Sequence, residues 1–147
     1  MVPYHGPKTI PLTRVASLLR YTRLLEAMGA PVERLLARAG IPAALLEHPA
    51  AAVSLEKAYR FGEQACTTQG TEHLGLHVAL ESSMDDFGPY GQMLQSSLTV
   101  HDYFRKGISL YNMLITGQHL WISEHGEELR FNIASMGRPR LSTYLSQ

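Results

Sequence analysis

The apolar residues of this 147-residue chain change period once, at Gly117, and that switch limits the folds open to it more than any other feature. Before Gly117 they recur at three- and four-residue steps, and after it they alternate. A helix returns a side chain to the same face about every 3.6 residues and a strand every second residue. The chain is therefore expected to be α+β, with several N-terminal helices followed by a long helix and a β-hairpin packed on them. An isolated hairpin is only marginally stable in water, so the helices must supply its support.

Glycine, proline and capping residues divide the helical part. Residues 1–12 carry three prolines and a glycine without a hydrophobic period and read as an extended lead-in. From Thr13 to Met28 the spacing of Val15, Leu18, Leu19, Leu25 and Met28 predicts a first helix, stopped by Gly29. Pro31 opens a second, with Val32, Leu35, Leu36 and Ala39 on one face and Gly40 closing it. Leu45 and Leu46 fall in a short turn. Ser54 is placed as the N-cap of a helix from Leu55 to Gln69, whose inward face is Leu55, Ala58, Phe61, Ala65 and Cys66.

Thr71 is expected to cap the next helix, through Leu74, Val78 and Leu80. Met84–Gly88 reads as a turn, in which Asp85 and Asp86 beside Ser82 and Ser83 serve turn-making and capping. Pro89 opens a helix through Met93 and Leu94. Thr99 with Asp102 forms a capping pair for a long helix from Val100 to Ile115, with Leu110, Leu114 and Ile115 as core. Beyond Gly117, Leu120 and Ile122 line one face, Leu129, Phe131 and Ile133 another, and residues 124–128 form the loop between two strands.

Composition narrows the function classes. Thirteen basic residues balance thirteen acidic ones, so no overall field draws the chain to nucleic acid or to an anionic membrane. The charges are unevenly spread, with eight Lys/Arg against four Asp/Glu over residues 1–60 and three against nine over residues 61–135, a pattern that a solvated surface accounts for. Cys66 stands alone, reads as a buried thiol and can form no intrachain disulfide. No apolar run nears the roughly 20 residues needed to span a bilayer, and the N-terminus lacks the build of a secretory signal. The expected location is the cytoplasm.

Chemistry-bearing constellations are few. His73 and His77 share a helix face at a spacing that suits two metal ligands, but neither Glu72 nor Glu81 completes a tetrahedral set, so no metal is expected. Asp85-Asp86 is better explained by capping than by catalysis, no nucleophile–base pair is legible, and Gly75, Gly88 and Gly91 form no phosphate-cradling loop. The expectation is a protein without catalytic residues or cofactor. A small-molecule pocket needs an apolar lining with a few polar groups. Phe87 and Tyr90, then Tyr103, Phe104 and Tyr111 on the long helix, and Trp121 on the hairpin offer that lining, unless these rings only fill the core. Asn112 is the polar neighbour whose amide wants a partner.

The segment Leu24-Leu25-Glu26-Ala27-Met28-Gly29-Ala30-Pro31-Val32-Glu33-Arg34-Leu35-Leu36-Ala37-Arg38-Ala39-Gly40-Ile41-Pro42 resembles the opening helix pair of the arabinose-binding-type N-terminal domain of AraC/XylS bacterial transcriptional regulators. The helix after Val53-Ser54-Leu55, the stretch Leu74-Gly75-Leu76-His77-Val78-Ala79, and Phe87-Gly88-Pro89-Tyr90-Gly91 with Ser96-Ser97-Leu98-Thr99-Val100 follow in the family's order. The resemblance runs over residues 13–135. It implies an effector-sensing and dimerisation domain, expected as a homodimer, that binds a small-molecule effector and reaches DNA only through a C-terminal helix-turn-helix domain. No such helix pair is legible here, so residues 13–147 are expected to be a partial sensor domain with the DNA-binding domain absent from this chain. The alternative is a protein-interaction or dimerisation module without a small ligand, using exposed parts of Leu18, Leu25, Leu35 and Leu36.

Overall fold

The computed structural model describes residues 10–71, 73–126 and 128–135; the lead-in over residues 1–9 and the tail with Arg138 and Arg140 lie outside the described residues. The described chain enters as a strand. β1 (Leu12–Arg14) pairs antiparallel with β2 (Ala52–Ser54), with Thr13 opposite Val53. Its other edge bonds to residues 114–116: the Arg14 N–H donates to the Leu114 carbonyl at 3.2 Å and the Thr116 N–H to that of Leu12 at 2.8 Å. Thr13 and Arg14, expected in the first helix, are therefore extended, because sheet partners on both sides satisfy their backbone groups.

The helices follow the spacing of the sequence, with shifted ends. α1 (Val15–Ala27) and α2 (Val32–Ala39) pack on each other, with Gly40 closing α2 in the left-handed conformation at φ 74°. Lys57 Nζ donates to the Gly40 carbonyl at 2.8 Å, so a side chain of the next helix holds the end of α2. A 3₁₀ turn at Ala43–Glu47 leads through β2 to α3 (Leu55–Gln69). Ser54 occupies the N-cap position of α3 but makes no side-chain cap; the Leu55 N–H instead donates to the Pro11 carbonyl at 2.9 Å.

α4 (Leu74–Glu81) starts after His73, while the Thr71 hydroxyl donates to the Gln69 carbonyl rather than capping it. A 3₁₀ turn at Met84–Phe87 carries a full capping box, in which Ser83 and Asp86 satisfy each other's backbone N–H groups across the turn. α5 (Pro89–Gln95) begins on proline, and α6 (Val100–Leu110) is capped by Thr99, whose hydroxyl accepts from the Asp102 N–H at 3.0 Å. α6 ends five residues short of the expected Ile115. A 3₁₀ turn at Tyr111–Met113 follows, and the next residues leave the helix to pair with β1. Leu110, Leu114 and Ile115 are half-buried, and α6 has no fully buried residue.

β3 (Gln118–His125) and β4 (Glu128–Ser135) form the hairpin. Its register sets Leu120 opposite Ile133, Ile122 opposite Phe131 and Glu124 opposite Leu129. Directly opposed residues project to one face. The two apolar rows read separately in the sequence are thus a single face, with Trp121, Ser123, Asn132 and Arg130 on the other.

The core sits between α1, α2 and α3, where Val15, Leu18, Leu25, Val32, Leu35, Leu36, Ala39, Ile41, Phe61, Ala65 and Leu74 form one buried cluster. Leu18, Leu25, Leu35 and Leu36 are 4%, 0%, 1% and 0% exposed, which removes them as the contact of an interaction module: their side chains are spent on the intramolecular core. Phe61 is fully buried at its centre. Phe61→Ala is expected to lower the unfolding free energy by about 3–5 kcal/mol, since a large buried ring leaves a cavity the helices cannot collapse. Urea denaturation of the two proteins measures it, and a loss under about 1 kcal/mol would contradict this packing.

Candidate functional site

The turn before α5 aims the first aromatic pair. Gly88 adopts φ 57°, and a Cβ on Gly91 would lie 1.7 Å from the Met84 carbonyl oxygen, so only glycine lets α5 fold back so tightly on the Met84–Phe87 turn. That turn brings the rings of Phe87 and Tyr90 to 6.2 Å between centroids. Tyr90 Oη donates to the Gly107 carbonyl of α6 at 3.0 Å, and Tyr103, one turn earlier on α6, donates from Oη to Met84 Sδ at 3.6 Å. Tyr103 meets Phe104 edge-on at 5.7 Å, and Phe104 meets Phe131 of β4 at 6.0 Å. Two runs of rings, Phe87–Tyr90 and Tyr103–Phe104–Phe131, are thus tied by these two hydrogen bonds into one string from the α1 side of the molecule to the hairpin.

At its Phe87 end the string meets charge. The Arg20 guanidinium carbon lies 4.0 Å from the Phe87 ring centroid, close enough for a cation–π contact. At its hairpin end the string is open. Phe104 is 37% and Phe131 54% exposed, and Leu129 and Ile133 beside Phe131 are exposed as well. Among the described residues no helix runs along the hairpin.

A polar knot ties down the base of the hairpin. The buried Gln118 amide accepts from Tyr111 Oη at 2.7 Å and donates to Tyr59 Oη at 2.7 Å and to Ser135 Oγ at 3.3 Å. It joins α3, the turn after α6 and both strands through one side chain. Burial pushes the Tyr111 phenol up to about 12, with Tyr59 and Tyr90 adding to the shift, and burial raises Tyr59 and Tyr90 too.

The residues expected to line a ligand divide between these places. Phe87, Tyr90 and Tyr103 lie along the string, and Tyr111 is bound into the Gln118 knot. Trp121 lies on the opposite face of the hairpin from Phe131, stacked on His119 at 5.6 Å, and Asn112 is exposed. The buried amide that needs partners is Gln118. Its signal was a polar residue at the head of the apolar row Leu120 and Ile122. Arg20 and Tyr59 left no signal in the spacing, because each lies beside an inward position of an amphipathic helix. His73 and His77 are both exposed, and no group of three metal-binding side chains occurs among the described residues.

The order of elements that carries this site, from Gly29 through the hairpin, coincides with a known family. Residues 29–145 match the family described as the arabinose-binding domain of AraC transcription regulators, N-terminal. The chain belongs to that family. No curated protein matches it. As an AraC-type domain it is a regulatory, ligand-sensing module, and among the described residues no helix is long and apolar enough to cross a membrane.

For this AraC-type domain the Gln118 knot gives a pH dependence with a defined sign. The folded state holds the Tyr111 proton to about pH 12, whereas the unfolded chain releases it near its ordinary value of 10.0. Stability from this phenol is complete below pH 10 and is lost as pH rises from about 10 toward 12. Tyr111→Phe is expected to flatten the fall in melting temperature over that range, as thermal melts at pH 8 to 11.5 will show. A fall equally steep in the variant would contradict the assignment.

Proposed function

We propose that this chain is the effector-sensing and dimerisation domain of an AraC-type transcriptional regulator, acting in the cytoplasm as a homodimer and controlling a DNA-binding domain outside this chain. The observation that supports the effector role is the open end of the aromatic string, where Phe104 and Phe131 touch yet stay partly exposed beside Ile122, Leu129 and Ile133. A small apolar or aromatic molecule seated there gains contact with a helix and a hairpin at once. Such a ligand shifts the regulator only if it binds one arrangement of hairpin and helices more tightly than another. The work is binding without turnover. The effector follows from the chemistry of the site, and the family's label does not make it arabinose.

Of the residues expected to bind, Phe87, Tyr90 and Tyr103 remain on this proposed path, with Phe104 and Phe131 at its mouth. Tyr111 is bound into the Gln118 knot instead, and Asn112 and Trp121 stand away from the path.

A second reading rests on the same exposed apolar face: a dimerisation surface that takes no small ligand. A thermal-shift panel of small apolar, aromatic and sugar compounds separates the two. A specific ligand at a hundred times its Kd stabilises the native state by about 2.7 kcal/mol and raises the melting temperature by several degrees. Phe131→Ser and Phe104→Ser are expected to abolish that rise while leaving the helical circular dichroism intact. Concentration-dependent sedimentation with no response to any compound favours the ligand-free surface.

A further inference from the structure

α4 is apolar on the side that faces water as well as on the side that faces the core. Leu74 and Val78 are buried against α1 and α3, while Leu76 and Leu80, one turn apart on the opposite side, are 60% and 76% exposed. A helix that is apolar all round is normally a buried one. His73 and His77, also one turn apart, border the two leucines and are both exposed. The His77 N–H donates to the His73 carbonyl at 3.1 Å, so the turn between them is helical and sets the two imidazoles side by side, with Cβ atoms about 5–6 Å apart.

Two imidazoles at this spacing are half of a closed tetrahedral zinc site. Among the described residues no third ligand joins them. Glu81 stands one turn beyond His77 and does not complete the set, but its charge favours a cation there, in a stretch with three basic residues against nine acidic over residues 61–135. The same pair on a second copy does complete it. A two-fold contact sets one surface patch against itself, so α4 against α4 doubles two histidines into four. The leucines alone do not hold such a contact: Leu76 and Leu80, even counted on both copies, fall well short of the roughly 1,200 Å² that a stable interface buries. Metal ligation supplies what the apolar area lacks, and imidazole nitrogens select zinc over magnesium, which takes oxygen ligands.

We propose that the outward face of α4 is a zinc-dependent contact between two copies of this chain, with one ion held by His73 and His77 of each copy and Leu76 and Leu80 packed around it. It rests on the homodimer of the proposed function, names one contact within it and asks nothing of the Phe104–Phe131 mouth.

The test is sedimentation of the whole untagged chain over a range of concentrations in zinc chloride, in magnesium chloride and in EDTA, with the bound zinc counted by equilibrium dialysis. The contact requires zinc to lower the dimer dissociation constant at least tenfold relative to EDTA, with one ion per two chains and no effect of magnesium, since an ion that binds only the dimer stabilises it by mass action. His73→Gln and His77→Gln must each return the constant to its EDTA value, while His48→Gln, away from α4, keeps the zinc response. Both changes are on exposed side chains, and either variant decides the matter if the other does not fold. A zinc response that persists in both variants, one lost equally in His48→Gln, or zinc taken up by the monomer without tighter association overturns the contact. A dimer of equal strength in zinc and EDTA removes the zinc contact and leaves the homodimer standing, whereas a monomer under all three conditions removes both.

Discussion

Backbone hydrogen bonds on both edges of β1 are the constraint on which the rest of the arrangement depends. A three-residue strand has little stability of its own, yet Leu12–Arg14 is bonded to β2 on one side and to residues 114–116 on the other. Those bonds bring together segments about forty and a hundred residues apart in sequence. Pro11 satisfies the first N–H of α3, and Arg14 reaches across both neighbours, donating from Nη1 to the Ala50 carbonyl and from Nε to that of Met113. The packing of Gly117 is equally tight, since a Cβ there would stand 2.8 Å from the Pro11 ring. The start of the described chain thereby fixes where the hairpin leaves the helical body.

From that origin the hairpin is held at its base and free along its length. Gln118 and the buried Leu120 anchor the first residues of β3, whereas Leu129, Phe131 and Ile133 of β4 are more than half exposed. Stability is graded accordingly, from the fully buried cluster of α1, α2 and α3 to an apolar sheet face touched by Phe104. Elements that respond to ligands are drawn from the less stable end of such a gradient, because a ligand can shift only what differs little in free energy between two arrangements. The aromatic string joins the two ends: it starts where α1 meets the Met84–Phe87 turn and finishes on the hairpin.

Much of the architecture was legible because it is local. The spacing of Leu18 and Leu25, the glycines at 29, 40 and 70, Pro89 and the Thr99–Asp102 pair specify helices and their ends through interactions a few residues long. The region around Gly126 and the alternation on either side of it specify the hairpin. The family likeness was legible for the same reason, as it rests on the order of those turns and caps. Less of the site could be read. Phe104 was identifiable as a ring on an amphipathic helix, but its partner Phe131 depends on where the hairpin docks.

By itself, then, the sequence determined the α+β order, the apolar faces of the first three helices and the single period switch at Gly117, since propensity, capping and hydrophobic spacing act within a turn or two of chain. Only the tertiary structure decided that Thr13 and Arg14 are strand, that α6 stops at Leu110, and that Ile122 and Phe131 share a face. It also decided that Trp121 faces away from the ring string while Gln118 becomes the buried amide. Each of these depends on a hydrogen bond or a register between residues far apart in the chain, and the energy of such a contact belongs to neither segment alone.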